Sequence, residues 1–250
     1  MGVLVDITTR CNMTCGHCMW SRTQQGEDMT EDVFRAALNM APVRGYGTFS
    51  FGSGEPTVHP QFWKFIEIAL EDKRWNVRVV TNGKLTETAL RLAELGKQGV
   101  LEAHLSLDKW HDKIDQSVID AFKRDPTLKG DKRAYRFCED SDLKNIGRCD
   151  FAKDKRPSCR CPVPKITTNG NVYFCGCEQA IAIGHVLTGW DEGAKKNYKK
   201  LNCTRWIEGA DKTAPSRFFG GVQSALRNGS TNKEQKESKR NEFAKIISNI

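Results

Sequence analysis

Residues 3–18 read VLVDITTRCNMTCGHC, a short apolar segment followed by a loop with three cysteines. The apolar run over 3–7 predicts a β-strand. Cys11, Cys15 and Cys18 follow it at C-x3-C-x2-C spacing, and thiols spaced so closely indicate metal or cluster ligation. Three ligands in one loop suit a [4Fe–4S] cluster whose fourth iron stays open, while a closed zinc site remains an alternative at this point.

The composition predicts a globular, cytoplasmic protein. The 250 residues are enough for one large domain or a core with a small appendage. Charged residues make up 28% of the chain, and no stretch reaches the ~18 apolar residues of a membrane span. Because no signal peptide is recognisable, the ten cysteines favour metal-bound thiols over disulfides. The net charge of +8 favours an anionic partner, or serves solubility alone.

Four strand-then-helix units follow one another in the first half of the chain. The predicted strands are 3–7, 48–51, 77–80 and 103–107, and the predicted helices begin at Thr30, begin near Pro60, end at Gly96 and span 116–123. The first helix is expected to bury Val33, Ala36, Ala37 and Met40, and the second Phe62, Phe65, Ile66 and Ala69. Repeated units of this kind imply parallel strands joined by right-handed crossovers.

Polar motifs follow all four strands. In parallel sheets and barrels, chemistry lies on the loops after the carboxyl ends of the strands. The cysteine loop follows the first strand, and the GSGEP loop, residues 52–56, follows the second. Asn82 follows the third strand, and Ser106 and Asp108 close the fourth. We therefore expect these segments to meet at one edge of the sheet.

Two of these segments resemble motifs of the radical S-adenosylmethionine (radical SAM) superfamily. The C-x3-C-x2-C loop matches the cluster motif of that family, and the GSGEP loop is similar to its Gly-Gly-Glu-Pro segment, with Ser53 in place of a glycine. The resemblance implies an α/β fold, namely a partial, open TIM-like (β/α)6 barrel with a small Cys-rich β-hairpin extension. It also implies that Cys11, Cys15 and Cys18 hold a [4Fe–4S] cluster.

The same resemblance implies how S-adenosylmethionine binds. The GSGEP loop would hold the methionine amino group, and the residues after the third and fourth strands would contact the ribose and carboxylate. The expected cofactor-binding residues are His17, Gly52, Gly54, Glu55, Asn82, Ser106 and Asp108. His17 would pack against adenine, Asp108 would face cofactor or substrate, and Glu55 could instead serve as a helix cap.

A second group of cysteines surrounds a predicted β-hairpin. Residues 165–174, KITTNGNVYF, place β-favouring residues around Asn169-Gly170, a dipeptide suited to a type I′ turn. The group is similar to a shortened SPASM or twitch region of the superfamily, which implies an auxiliary iron–sulfur cluster. Zinc, or buried cysteines without a metal, are the alternatives. The expected ligands are Cys159, Cys161, Cys175 and Cys177, with Cys149 and Cys203 as substitutes, and Cys138 is expected to be structural.

Three regions are expected along the chain: a radical SAM core over 1–150, the Cys-rich metal region over 151–205, and a polar tail with a helix over 206–250. The fifth and sixth barrel strands must then lie within 127–158. That segment would border the open side of the barrel. It would either bind an anionic substrate or form a solvated loop face. Its basic residues are Lys129, Lys132, Arg133, Arg136, Lys144, Arg148, Lys153, Lys155 and Arg156.

The predicted activity is reductive cleavage of S-adenosylmethionine to a 5′-deoxyadenosyl radical, which takes hydrogen from a substrate C–H bond. Flavodoxin or ferredoxin is the expected electron donor, and a peptide or protein is the first expected substrate. A nucleotide or nucleic-acid base is the second. A zinc protein that binds nucleic acid without catalysis is a third interpretation. The sequence assigns no catalytic acid, base or radical relay.

Overall fold

The computed structural model describes residues 2–40, 47–125, 127, 132, 134–136, 147–149, 164–173, 176 and 182–191. The predicted tail over 206–250 lies outside these residues. So do six of the cysteines, namely Cys138, Cys159, Cys161, Cys175, Cys177 and Cys203, and Cys149 is described in its backbone alone.

Strands and helices alternate through the first half of the chain, as predicted. The strands are β1 (Gly2–Val5), β2 (Thr48–Phe51), β3 (Asn76–Thr81), β4 (Glu102–Ser106) and β5 (Ala134–Arg136). The helices are α1 (Glu31–Met40), α2 (Phe62–Glu71), α3 (Thr86–Lys97) and α4 (Gln116–Ala121), with short 3-10 helices at Pro56–Val58 and Gly147–Cys149. Four further strands are β6 (Lys165–Ile166), β7 (Asn171–Tyr173), β8 (Gly184–His185) and β9 (Gly189–Trp190).

All of the described strands belong to one sheet. Its order is β5-β4-β3-β2-β1-β6-β7-β8-β9, and the pairs from β5 through β1 to β6 are parallel. The pairs from β6 to β9 are antiparallel. The α/β prediction is therefore confirmed. Among the described residues of 127–158, β5 is the single strand, and the first hairpin strand extends the sheet beyond β1.

The two faces of the sheet differ in character. Val3 and Val5 of β1, Phe49 and Phe51 of β2, and Val77 and Val79 of β3 point to one face and are buried under the helices. This alternation is the expected pattern for strands with one apolar face. On the opposite face, β2 and β3 present Ser50 and Arg78 to a cavity. The helices thus cover the apolar face, and the polar face is left for the site.

The predicted helix faces are confirmed for α2 and shifted for α1. All four predicted α2 residues are buried. In α1 the fully buried residues are Phe34, Ala37 and Leu38, so the face is centred on the aromatic ring of Phe34, which stacks on Phe65 at 4.2 Å between ring centroids. Val33 and Met40 pack at its edge. The bulkier rings define the contact between α1 and α2, because a well-packed aromatic pair buries more area than the smaller residues.

The predicted type I′ turn of the hairpin is wrong. Gly170 has φ 89°, whereas Asn169 is not among the non-glycine residues of positive φ. The amide of Gly170 donates to the carbonyl of Thr167 at 2.8 Å, and the amide of Thr167 donates to the carbonyl of Asn171 at 3.0 Å. The loop is a turn over 167–170 that ends in a left-handed glycine, which is the common longer hairpin connection.

Among the described residues, no helix combines the length and the apolar character needed to cross a membrane.

Candidate active site

One cavity of about 830 Å³ gathers the predicted site residues at the carboxyl ends of the parallel strands. Every described residue that the sequence assigned to cluster or cofactor lines it, namely Cys11, Cys15, His17, Cys18, Gly52, Gly54, Glu55, Asn82, Ser106 and Asp108. These residues come from the loops after β1, β2, β3 and β4. Their convergence agrees with the rule that parallel sheets carry their sites at this edge.

The cysteine loop is fixed by backbone hydrogen bonds. The amide of Cys11 donates to the carbonyl of Thr23 at 2.6 Å, and the amide of Cys18 donates to the carbonyl of Cys15 at 3.1 Å. Arg148 holds the loop from outside, because its Nε donates to the carbonyl of Cys15 at 3.0 Å and its amide donates to the carbonyl of Cys18 at 3.1 Å. In the sequence, Arg148 is only one of several cations of a basic segment.

The three thiols are suited to a shared metal group. All three are free and half-buried. Burial raises the pKa of Cys11, and burial together with the neighbouring Cys11 and Cys18 raises the pKa of Cys15 to about 11. Thiols crowded in this way are costly to ionise alone, and a cationic cluster removes that cost by replacing the protons. The donor set therefore fits an iron–sulfur cluster that is held through three cysteines.

Two N–H groups point at the sulfur of Cys11. The amide of Met13 lies 3.5 Å from it and Nδ2 of Asn82 lies 3.7 Å away. The same Nδ2 donates to Oδ1 of Asn12 at 2.8 Å. Asn82 thus ties the end of β3 to the cysteine loop, and donors of this kind stabilise thiolate sulfur and tune cluster potentials.

Gly54 lets the GSGEP loop pack against the chain that leads into the cysteines. A Cβ at Gly54 would lie 2.3 Å from the carbonyl oxygen of Thr8 and 2.6 Å from that of Arg10. The amide of Glu55 donates to the same Arg10 carbonyl at 2.9 Å. Glycine is therefore required here by a close backbone approach.

The carboxylate of Glu55 is enclosed by its own chain. Its Oε1 accepts from the Thr57 hydroxyl at 2.7 Å and from the Thr81 hydroxyl at 2.8 Å, and Oε2 accepts from the Asn82 amide at 2.7 Å. Oε1 also caps the 3-10 helix through the Thr57 amide. Burial raises the pKa of Glu55, although these donors oppose the shift. The predicted alternative role as a helix cap is thus the one that the contacts display.

Ser53 takes part in a buried charged network that sequence analysis missed. Ser53 has φ 83°, a strained value for a residue with a side chain. Its hydroxyl accepts from Nη2 of Arg22 at 3.0 Å and from Nζ of Lys165 at 2.8 Å. Asp6 is fully buried and pairs with both cations, at 2.7 Å to Arg22 and 2.9 Å to Lys165. The signal that the sequence offers is Asp6, an acidic residue in an apolar strand, but its partner Lys165 is far away along the chain.

His17 lies beside an Asp–His pair on the β4–α4 loop. Nδ1 of His111 is 2.8 Å from Oδ1 of Asp108, and Nε2 of His17 is 3.9 Å from Oδ2. Burial lowers the pKa of His17. Burial alone would raise the pKa of Asp108, but hydrogen bonds from His111 and Trp110 outweigh it and hold that pKa below its usual value. The His17 ring also lies 5.9 Å from the Trp110 ring.

The polar face of the sheet supplies the rest of the cavity wall. Arg78 and His104 of neighbouring strands line it, as does Arg136 at the end of β5. Nη2 of Arg78 pairs with Glu102 at 2.6 Å, and Nζ of Lys132 lies 3.5 Å from the same carboxylate. The basic segment over 127–158 therefore does contribute a side chain to the cavity.

The curated proteins to which parts of this chain are similar include the following three. A tungsten-containing aldehyde ferredoxin oxidoreductase cofactor-modifying protein of Pyrococcus furiosus is 33% identical over 108 residues, covering 42% of this chain and 30% of that protein. A 7,8-dihydro-6-hydroxymethylpterin dimethyltransferase of Methanocaldococcus jannaschii is 28% identical over 108 residues, covering 42% and 21%. Mycofactocin maturase MftC of Mycobacterium tuberculosis is 30% identical over 114 residues, covering 41% and 26%. The chain thus matches less than a third of each relative.

The fold is shared with a solved structure, that of BtrN in complex with AdoMet and 2-DOIA. The TM-score is 0.55 at 23% identity, and the match covers 82% of this chain and 81% of that chain. This likeness supports the prediction of a partial TIM-like barrel. The family model of the radical SAM superfamily matches residues 5–149, more than half of the chain, and includes both the cysteine loop and the GSGEP loop. The chain belongs to the radical SAM superfamily, whose members are enzymes that use a [4Fe–4S] cluster and S-adenosylmethionine.

Proposed function

We propose that this protein cleaves S-adenosylmethionine reductively at a [4Fe–4S] cluster and uses the 5′-deoxyadenosyl radical to remove hydrogen from a substrate C–H bond. Cys11, Cys15 and Cys18 would hold the cluster. The observation that carries the proposal is the single cavity in which the three thiols, the GSGEP loop and the ends of β3 and β4 converge. When bound, the cluster would supply the electron, and the protein would position the reactants and exclude water.

Several residues of the chain hold the two loops in place, and others would contact the cofactor. Arg148 fixes the cysteine loop, because its Nε donates to the carbonyl of Cys15. The close packing of Gly54 against the carbonyls of Thr8 and Arg10 sets the distance between the two loops. Glu55 holds the GSGEP loop to the end of β3. The groups that would contact the cofactor line the cavity, namely His17, Gly52, Gly54, Glu55, Asn82, Ser106 and Asp108. Glu55 and Asn82 would also act by positioning, because both make hydrogen bonds within the chain, and Oε2 of Glu55 keeps a lone pair for a further donor.

For the substrate, a peptide or protein side chain is the first proposal. It is supported by the similarity to a maturase and by the predicted twitch-like region. In that region we propose an auxiliary cluster or a zinc ion, with Cys159, Cys161, Cys175 and Cys177 as its ligands. A nucleotide-like small molecule is the second candidate, and the similarity to a pterin dimethyltransferase favours it. Flavodoxin or ferredoxin remains the proposed electron donor. Membership of an enzyme family counts against the non-catalytic zinc protein.

Anaerobic reconstitution with iron and sulfide tests this function. The parent protein, Cys15→Ala and Cys175→Ala are compared for bound iron and for 5′-deoxyadenosine formed from S-adenosylmethionine with a low-potential reductant. We expect cleavage by the parent and none by Cys15→Ala, while Cys175→Ala keeps the cluster of the first loop. Equal 5′-deoxyadenosine formation by Cys15→Ala and the parent would contradict the proposal.

A further inference from the structure

We propose that Lys165, a residue of the hairpin, positions the GSGEP loop for S-adenosylmethionine by holding Ser53 in its positive-φ backbone conformation. This inference rests on the proposed function, because it assigns a positioning residue to the loop that would bind the cofactor. Position 165 lies outside residues 5–149, which match the family model. A residue beyond the matched core would thus complete the cofactor loop.

The backbone of Ser53 has a conformation that serine disfavours. Its φ is 83°, and positive φ brings the Cβ of an L-residue too close to a carbonyl oxygen of the backbone. Ser53 lies between Gly52 and Gly54, and all three residues line the cavity. Glycine would adopt this φ without the steric cost. A serine keeps such a conformation when surrounding contacts impose it.

The side chain of Ser53 makes contacts that can impose this conformation. Its hydroxyl accepts from Nζ of Lys165 at 2.8 Å and from Nη2 of Arg22 at 3.0 Å. Hydrogen bonds from charged donors are about twice as strong as those between neutral groups. Arg22 follows the cysteine loop in the chain, and Lys165 begins β6. Two other parts of the chain therefore hold the GSGEP loop at Ser53.

The ammonium of Lys165 is itself fixed in place. Lys165 and Asp6 are both fully buried, and Nζ lies 2.9 Å from Oδ2 of Asp6. The ring of Trp20 covers the ammonium at 4.6 Å. Trp20 lines the cavity, whereas Lys165 does not. Lys165 would therefore act on the cofactor through the residues that it touches, and not by direct contact.

The cluster of buried charges around Ser53 carries two costs. Oδ1 of Asp6 is buried and makes no hydrogen bond among the residues that the structure describes, and Ser53 has its disfavoured φ. Buried ion pairs by themselves add little stability relative to well-packed apolar side chains. Backbone strain and unsatisfied polar atoms are typical of functional sites. Both costs meet beside the loop that would bind the cofactor, where a positioning role explains them.

Replacing Ser53 by alanine and by glycine tests the inference. Both changes remove the hydroxyl, but alanine disfavours positive φ and glycine does not. We expect Ser53→Ala to bind S-adenosylmethionine about ten-fold or more weakly than the parent, and Ser53→Gly to stay within about three-fold of it. Anaerobic equilibrium dialysis of cluster-loaded protein measures the affinity. Iron content and thermal unfolding show whether each variant is loaded and folded.

Lys165→Met tests the same contact from the other partner, alone and combined with Ser53→Gly. We expect the single variant to lose about five-fold or more in affinity for S-adenosylmethionine, because one charged donor to Ser53 is gone. In the Ser53→Gly background the same change should cost less than about two-fold, because glycine does not need the contact. The unfolding free energy should fall in both backgrounds, since Asp6 loses a cation in both.

Lys123→Met is the matched control, because it removes an exposed lysine that pairs with Asp120. It should leave the affinity unchanged in both backgrounds. If Lys165→Met does not fold, the two Ser53 variants decide the question.

Three results would overturn the inference. Equal affinity of Ser53→Ala and the parent would show that the contacts of the hydroxyl do not hold the loop. Equally weak binding by Ser53→Ala and Ser53→Gly would assign the hydroxyl to the cofactor itself. An equal loss on Lys165→Met in both backgrounds would show that Lys165 acts through stability alone. If the cluster-loaded parent bound no S-adenosylmethionine, the proposed function would fail instead.

Discussion

The carboxylate of Glu55 shows how the described contacts refine the role of a motif residue. The resemblance assigns Glu55 to the cofactor, yet both of its oxygens accept hydrogen bonds from Thr57, Thr81 and Asn82. A buried carboxylate with such donors holds three segments together, because any displacement would leave it unsatisfied. Glu55 therefore holds the GSGEP loop in position, and we propose that it acts on the cofactor in part through that position.

Glu55→Gln should lower the free energy of unfolding by about 1–3 kcal/mol. The NH2 group that replaces one carboxylate oxygen would face the hydroxyl and amide donors that now bind it. Urea denaturation of cluster-free protein measures the change. Glu71→Gln, an exposed glutamate at the end of α2, is the matched control and should stay within about 0.5 kcal/mol of the parent. An unfolding free energy of Glu55→Gln equal to that of the control would show that the carboxylate does not hold these segments.

The thiol of Cys15 should be slow to react in cluster-free protein. Burial, with Cys11 and Cys18 nearby, raises its pKa to about 11, so the reactive thiolate is scarce at neutral pH. We expect its iodoacetamide alkylation rate to rise about ten-fold per pH unit between pH 7 and 10, without a plateau. Peptide mass spectrometry follows the reaction, and glutathione serves as the reference thiol. A plateau near pH 8 would contradict the raised pKa.

The roles of single residues were only partly predictable from the sequence. The sequence predicts that the three cysteines of the first loop, Gly54 and Asn82 share one site, because their types and spacing match a chemical need, and the structure places them in one cavity. The partners of Asp6 and Ser53 are not, because Lys165 is more than a hundred residues away and no local pattern connects them. Arg148 is likewise indistinguishable in sequence from the other cations of its segment. Contacts between distant parts of the chain decide these roles.

Among the secondary-structure elements, β6 has an unexpected place. It pairs with β1 in parallel, with Leu4 opposite Lys165, and so brings the hairpin next to the strand that carries the cysteine loop. Nε1 of Trp20 donates to the carbonyl of Gly176 at 2.9 Å, and the Lys165 ammonium lies 4.6 Å from the centre of the Trp20 ring. The cysteine loop and the hairpin region are thus joined at two points.

Lys165→Met should therefore destabilise the fold by about 3–5 kcal/mol, because it leaves Asp6 buried without one of its two cations. Urea denaturation is again the measurement. The double variant Asp6→Asn/Lys165→Met should lose less than the sum of the single variants, since the two side chains share one interaction. Lys84→Met, which removes an exposed pair with Asp112 at 2.7 Å, should cost at most about 1 kcal/mol. A loss in Lys165→Met no larger than in Lys84→Met would refute the role of the buried pair.

Gly54→Ala and Gly16→Ala form a second matched test. The added methyl group would collide with two backbone carbonyl oxygens at Gly54, whereas at Gly16 its nearest neighbour is the Trp110 ring at 3.8 Å. We expect Gly54→Ala to lose about 1–3 kcal/mol of unfolding free energy and to bind less iron on reconstitution. Gly16→Ala should retain both. Equal iron content in the two variants would show that the loop packing at Gly54 is dispensable.

The order of strands and helices was largely predictable, because each depends on a local apolar period and a turn signal. The α1 face was misplaced, since several registers of that helix are apolar and the choice depends on the rings of Phe34 and Phe65. The hairpin turn was predicted at the right residues but with the wrong geometry. Its position beside β1 depends on Lys165 and Asp6, which a local pattern does not reveal.

In the whole molecule, one cavity unites the cysteine loop, the GSGEP loop and the polar face of the sheet. The sequence predicted the edge at which these loops meet, because that follows from parallel strands. It did not predict which cation of the basic segment faces the cavity, since the side chain of Arg136 is directed by the pairing of β4 and β5. We propose that a cluster held in the first loop, open to the cofactor, gives these contacts their function.

The direct measurement is electron paramagnetic resonance of the reduced, anaerobically reconstituted protein. All four predicted ligands of the second group are replaced by alanine, so that any cluster signal comes from the first loop. The variant carries the substitutions Cys159→Ala, Cys161→Ala, Cys175→Ala and Cys177→Ala. We predict a [4Fe–4S] signal that changes when S-adenosylmethionine is added, and its disappearance on further substitution of Cys15→Ala. An iron-free first loop in folded protein, or a signal unaffected by S-adenosylmethionine, would contradict the assignment.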